Sequence, residues 1–228
     1  MYLNKLFSLF DEEEKRRSSI NIENPEMFYI GKQPNKYINN FEKFKFLINK
    51  IGLSKTTQSG ENLIALKKFN LTIEEAFIIY SYTSYEMYSE VNLQLRNHPS
   101  KLDKVIQEYS YLLDQSLDKM PSFDNNIVYR DICVPDNGVS KLINYYKINV
   151  NNKVLETAFI SSHISNGRWS DKETGLQIII QTKNKSNGKD LRELSFNSFE
   201  EEVLFKSGTW FLVDSIDKKN NLVYLNEL

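Results

Sequence analysis

The hydrophobic period changes once along this 228-residue chain, and that change sets the fold class. Before Pro121, apolar residues recur three and four apart. Ala76, Ile79, Tyr80, Met87, Val91 and Leu95 form one set, and Leu102, Val105, Ile106, Tyr109, Leu112, Leu113 and Leu117 a second. Such spacing lines one face of a helix. Thr72, with Glu74 and Glu75 behind it, offers a capping hydroxyl and acidic side chains for a first helical turn. An interruption is predicted near Ser81–Ser84, and Pro99 limits the first helix on its far side. After Pro121 the apolar runs become short, β-branched and aromatic. Strands are predicted at 127–134, 158–161, 176–181, 191–196, 202–205, 210–216 and 222–225. A short helix at 140–146 follows Gly138, and Lys218-Lys219-Asn220-Asn221 reads as a hairpin turn. Helices followed by strands, without alternation, predict an α+β fold rather than a parallel βαβ architecture.

The first sixty residues are more polar and loosely patterned. Phe41, Phe44, Leu47, Ile48 and Ile51 share helical spacing, while Asn24-Pro25 and Pro34-Asn35 mark loops. Residues 1–60 are therefore read as an N-terminal helical extension, and 61–228 as the principal domain.

Composition excludes several classes of function. Lys and Arg number 29 against 30 Asp and Glu, so bulk charge makes no case for a nucleic-acid or membrane partner. Cys133 is the only cysteine, and His98 and His163 have no ligand spacing, which predicts neither a disulfide within the chain nor a metal. No apolar run reaches membrane-spanning length. The segment Met1-Tyr2-Leu3-Asn4-Lys5-Leu6-Phe7 runs into Asp11-Glu12-Glu13-Glu14 without the apolar core of a signal peptide. The expected location is the cytoplasm of the producing cell, or a target cell reached by a route that needs no such signal.

Polar groups fall at three places in the strand-rich half. Arg130 interrupts an apolar strand and calls for an anionic partner, either a carboxylate of the protein or a ligand phosphate. Ser161 and Ser162 end a strand, with His163 directly after them. No Gly-x-Ser-x-Gly elbow accompanies them, so a serine hydrolase is a weak reading. Glu200, Glu201 and Glu202 precede Val203-Leu204-Phe205. On a continuous strand, alternation points Glu200 and Glu202 to one face and Glu201 to the other.

Taken in order, these segments resemble the arginine–serine–glutamate class of mono-ADP-ribosyltransferases, which includes binary-toxin components, phage transferases and vertebrate ecto-transferases. The resemblance covers about 155 residues, from Thr72 to Leu228. It rests on Tyr88-Ser89-Glu90-Val91-Asn92-Leu93-Gln94-Leu95-Arg96, Val128-Tyr129-Arg130 and Ala158-Phe159-Ile160-Ser161-Ser162. It continues through Leu191 to Ser195, Glu200 to Phe205, and Gly208-Thr209-Trp210-Phe211-Leu212-Val213.

The resemblance implies a split β-sandwich of two small sheets with N-terminal helices, with NAD as co-substrate and no metal. It implies that Arg130 anchors NAD, that Ser161 positions the catalytic glutamate, and that Glu202 stabilises positive charge on the ribose as nicotinamide leaves. Glu200 becomes the acceptor-side carboxylate, and Phe199 a substrate-recognition aromatic. Arg96, Asn92, Ser162 and Arg168 become further NAD contacts. Glutamate at position 200 favours arginine on a protein as acceptor, with a nucleic-acid base (RNA or DNA) or water as alternatives, water making the chain an NAD glycohydrolase. A toxin, effector or phage-related role follows, with a neutralising antitoxin or immunity partner and no membrane. Two residues depart from the pattern. His163 stands where a second serine is usual, and Asp131 follows Arg130 where glycine is common; Asp131 is expected to pair with a surface lysine or to alter the cleft.

Overall fold

A computed structural model describes residues 66–83, 87–97, 100–102, 104–133, 138–168, 175–195 and 198–228. The expected helix within 41–51 and the boundary between residues 60 and 61 lie outside the described residues. The chain divides into two compact units, one ending its main run at Pro121 and adding Glu193–Ser198, the other carrying Ser122–Arg192 and Phe199–Leu228.

The first unit holds α1 (Ile73–Thr83), α2 (Tyr88–Asn97) and α3 (Lys104–Leu117). Its start is a reciprocal capping box: the Glu75 amide donates to Thr72 Oγ1 at 3.2 Å, and the Thr72 amide donates to Glu75 Oε2 at 2.8 Å. Lys119 Nζ, just past α3, reaches the same Glu75 carboxylate at 2.8 Å and ties the two helix ends together. Ile78, Ile79, Met87, Val91, Ile106, Tyr109, Leu113 and Leu117 are all buried. The Tyr109 hydroxyl stays satisfied inside this core through Ser81 Oγ at 2.7 Å and the Ile78 carbonyl at 3.1 Å. α1 ends at Thr83, within the predicted interruption.

The second unit is built on eight strands: β1 (Ile127–Cys133), β2 (Lys153–Glu156), β3 (Ile160–His163), β4 (Gly175–Gln181), β5 (Gly188–Asp190), β6 (Glu202–Phe205), β7 (Thr209–Asp217) and β8 (Leu222–Glu227). Helix α4 (Gly138–Ile148) follows β1 and buries Leu142 and Ile143 in the sheet's core. The hydrogen-bonded order is β2-β7-β8-β4-β1-β3-β6-β5. Only β4 and β8 run parallel among these pairs. The Asp217 carboxylate shapes the turn into β8 by accepting the Lys219 and Asn220 amides at 3.0 and 3.2 Å, where the sequence predicts a hairpin.

The order is continuous but thin at one point: β1 and β3 share the single register pair Tyr129↔His163. There the sheet folds over on itself. Phe205 of β6 and Phe211 of β7 stand five strand positions apart in the order, about 24 Å in a flat sheet. Their ring centroids are 5.4 Å apart in an edge-to-face contact. Strands from both sides of the β1–β3 join, including Val128, Ile160, Val203 and Val213, contribute to one buried cluster. The α+β class is present, and the strands expected in two small sheets are joined through β1–β3 into one eight-stranded order.

Two details differ from the sequence reading. The strand predicted over 191–196 lies earlier, as β5, and residues 192–194 form a turn. Asp190 causes the stop: its Oδ1 accepts the Arg192 amide at 3.1 Å, a side-chain turn that diverts the backbone from the ladder. β2 was not predicted. It is an edge strand of sequence Lys-Val-Leu-Glu with only Val154 buried, so its apolar signal is a single residue.

Phe205 is fully buried where the folded sheet meets itself, so Phe205→Ala is expected to cost about 3–5 kcal/mol, seen as a lower denaturant midpoint at unchanged slope. Trp210→Ala, at a half-exposed position on β7, is expected to cost about 1 kcal/mol or less. Equal losses in the two variants would contradict the closed-over arrangement.

Candidate active site

The β3–β6 ladder places the central pair. His163 lies opposite Glu202 and Ser161 opposite Leu204, so alternation puts Ser161, His163, Glu202 and Leu204 on one face. Diagonal neighbours on such a face are within reach of one another. Ser161 Oγ accordingly donates to Glu202 Oε1 at 2.7 Å. Glu202 is 4% exposed, so its carboxylate is held largely out of water, where a hydroxyl donor is worth more than on the surface.

Arg130 joins this pair from β1. Its Nη1 donates to the Ser161 carbonyl at 2.9 Å, next to the place where the β1–β3 ladder is reduced to one pair. Ser161 therefore serves twice, accepting from Arg130 through its backbone and donating to Glu202 through its side chain. The three residues read from separate predicted strands form one bonded chain.

Glu200 is placed differently from the strand reading. It belongs to a one-turn 3₁₀ helix, Ser198–Glu200, and β6 begins only at Glu202. Glu201, the residue between them, has φ of +45°, a left-handed conformation unfavourable for a residue with a side chain. Strand alternation therefore does not relate Glu200 to Glu202, and Glu201 is a turn residue rather than the outward residue of a strand. Phe199, on the same turn, is 92% exposed.

The remaining predicted contacts fall as follows. Ser162 is buried, and its Oγ is one of two buried side-chain atoms among the described residues with no hydrogen-bond partner, the other being Gln177 Nε2. Arg168 donates through Nη1 to the Asn220 carbonyl at 2.6 Å and through Nη2 to the Gly175 carbonyl at 2.8 Å, pinning the segment after β3 to the start of β4 and the β7–β8 turn. Asn92 and Arg96 belong to the helical unit. Asn92 is buried, and its Nδ2 donates to the Tyr82 hydroxyl at 2.7 Å, bracing α2 against α1. Arg96 lies in the last turn of α2 and is half-buried. Among the described residues, no group of three or more His, Cys, Asp or Glu is placed to hold a metal ion, and no helix is long and apolar enough to cross a membrane.

Sequence reasoning missed one pairing. Asp131 is buried and meets His163, with Oδ2 3.1 Å from Nε2, while His163 Nδ1 lies 2.8 Å from the Ser165 carbonyl. Tyr129 stacks on the imidazole, the rings 6.0 Å apart between centroids. Gln177 stands directly opposite Asp131 on β4. The available signal was a lone amide inside the apolar run Leu176-Gln177-Ile178-Ile179-Ile180, but the register that brings it beside Asp131 is a long-range pairing.

Comparison with known proteins follows the same lines. The ADP-ribosyltransferase exoenzyme family matches residues 49–226. Among solved structures, Plx2a, an ADP-ribosyltransferase toxin from Paenibacillus larvae, superposes with a TM-score of 0.58 at 20% identity, covering 77% of this chain and 96% of its own. C3stau2 from S. aureus, solved with NAD, gives 0.54 at 21% identity over 77% of this chain and 95% of its own. The ADP-ribosyltransferase Vis, in complex with agmatine, gives 0.50 at 22% identity over 68% of this chain and 74% of its own. No curated protein matches the sequence. The solved structures support the fold, and the family match spans both the helices and every strand; the chain belongs to the ADP-ribosyltransferase exoenzymes, NAD-dependent enzymes of the mono-ADP-ribosyltransferase toxin family.

Proposed function

We propose that this enzyme transfers ADP-ribose from NAD to a guanidinium group, with arginine on a protein as the acceptor. The bonded chain Arg130–Ser161–Glu202 carries the reading. The chemistry breaks the bond between the ribose C1 and nicotinamide, which leaves with the bonding electrons. Glu202 faces the positive charge that develops on the sugar and stabilises it electrostatically, in the manner of a glycosidase carboxylate. Ser161 keeps that carboxylate in one orientation. Arg130, a cation with a forked donor set, holds the NAD phosphates or ribose oxygens. Arg168 is a further proposed NAD contact, whereas alternation turns Ser162 to the core-facing side of β3 with Ile160 and Val203, so the NAD contact expected of it from the sequence is not carried forward.

Glu200 takes the proton released when a guanidinium nitrogen attacks C1. A half-buried carboxylate on a turn beside an exposed aromatic suits an incoming macromolecule better than a buried one does. Agmatine, the ligand in the Vis complex, carries a guanidinium and supports the same acceptor class here.

Glu202→Gln keeps an acceptor for the Ser161 hydroxyl but removes the charge. It is expected to lower both NAD hydrolysis and ADP-ribosyl transfer by about 10²–10³-fold or more, with thermal stability little changed. A variant that retains normal turnover would remove Glu202 from the reaction.

Glu200→Gln is expected to lower transfer to agmatine at least tenfold while sparing NAD hydrolysis. Label carried from NAD into a cell lysate is expected to be released by protease and to resist nuclease. Loss of label to nuclease alone would overturn the protein-arginine acceptor in favour of a nucleic-acid base.

A further inference from the structure

The Asp131–His163 pair has no place in the chemistry above, yet it is buried beside it. The two side chains are 8% and 6% exposed. Both ring nitrogens of His163 face oxygen acceptors. Nδ1 donates to the Ser165 carbonyl, and Nε2 lies 3.1 Å from Asp131 Oδ2. Removing one member of such a buried pair strands the other, so the contact is far stiffer than a surface ion pair.

Its position determines what it stiffens. His163 is the last residue of β3 and stands opposite Glu202, the first of β6. The next residue, Ile164, donates its amide to the Glu201 carbonyl at 3.3 Å. Glu201 is the left-handed residue between Glu200 and Glu202. A non-glycine residue stays in that conformation only when its surroundings hold it there. The holding contacts run from Asp131 on β1, through the His163 ring to the Ser165 carbonyl, and through the Ile164 amide to Glu201. Backbone pairing holds β3 to β6 along its length, but on the β1 side it is limited to Tyr129↔His163, so the side-chain contact from Asp131 supplements it there.

We infer that His163 and Asp131 are positioning residues that clamp the end of β3 and thereby hold the Glu200 turn at its angle to Glu202. Neither touches the reacting atoms. Their role is to keep the acceptor-side carboxylate in register with the sugar-side one, so they set how much cleaved NAD goes to a guanidinium acceptor and how much to water. This inference rests on the assignment of Glu200 to the acceptor side.

The test measures NAD hydrolysis and transfer to agmatine in the same full-length protein, and reads their ratio. His163→Ser, which introduces the usual residue at this position, and Asp131→Ala are each expected to lower the transfer-to-hydrolysis ratio about tenfold, the scale of one hydrogen bond to a charged group. His163→Gln places an amide donor toward Asp131 and is expected to recover most of the ratio. A purely structural role would lower stability and depress both activities together, leaving the ratio unchanged. An unchanged ratio in folded His163→Ser or Asp131→Ala overturns the clamp. If His163→Ser does not fold, a wild-type ratio in Asp131→Ala overturns it equally, and so does a His163→Gln ratio as low as that of Asp131→Ala. Glu200→Gln in the same assay reports separately: transfer and hydrolysis falling together there overturns the Glu200 assignment, whatever the clamp variants show.

Discussion

The candidate site depends on holding one carboxylate in a fixed orientation while most of its surface is withdrawn from water. Burial of Glu202 opposes its charge, and the 2.7 Å hydrogen bond from Ser161 is one contact that offsets part of that cost. The bond needs β3 and β6 in the register that pairs His163 with Glu202, because a slip of one residue would turn Ser161 to the opposite face. Register here is guarded by the apolar residues on the other face. Ile160, Val203 and Phe205 all enter the buried cluster, and a slipped strand would expose them. The geometry of the Ser161–Glu202 pair is thus enforced by hydrophobic packing on the opposite face of the same strands.

The folded-over sheet explains why charged side chains are needed at the join. A ladder that bends sharply loses backbone hydrogen bonds, and β1–β3 retains one register pair. Two side-chain contacts lie next to it. Arg130 reaches the Ser161 carbonyl, and Asp131 reaches His163. Adjacent residues on one strand therefore span the same gap toward adjacent segments of the next. The polar groups gather where the sheet is least able to satisfy its own backbone, and a ligand site can form there without breaking a regular ladder.

Much of this was legible in the sequence for physical reasons that are local. The change of period at Pro121 separates the helices from the strands. The Thr72-x-x-Glu75 start is a capping box in the structure, and Lys218 to Asn221 lie in the β7–β8 turn. Arg130 was readable as a charge inside an apolar strand, and Ser161 and Glu202 as polar groups at the end and the mouth of others, which became a site only when taken in order. What failed depended on side chains acting on the backbone or on distant partners. Asp190 ends β5 by capturing the Arg192 amide, and no periodicity reports that. The edge strand Lys153–Glu156 buries one residue and so has almost no pattern. His163 looked like a departure from a motif because its partner, Asp131, lies 32 positions away and only the β1–β3 join brings them together.

The acidic triplet shows why a motif is not a geometry. On one strand face, carboxylates two residues apart would stand about 7 Å from each other. At an effective dielectric of about 20, their repulsion is about 2 kcal/mol, enough to raise the proton affinity of one and blunt it as an anion. The observed backbone avoids that arrangement by a different expense, a left-handed Glu201 worth about 1–2 kcal/mol of strain. In return, the two carboxylates occupy different environments. Glu202 enters the strand buried and bonded to Ser161, while Glu200 leaves on a half-exposed turn beside Phe199. Under the proposed function, one carboxylate faces a small sugar and the other a large acceptor, which call for different surroundings. A single continuous strand would give both carboxylates the same surroundings, so the left-handed Glu201 between them is what places Glu200 and Glu202 in the different environments that the proposed function uses.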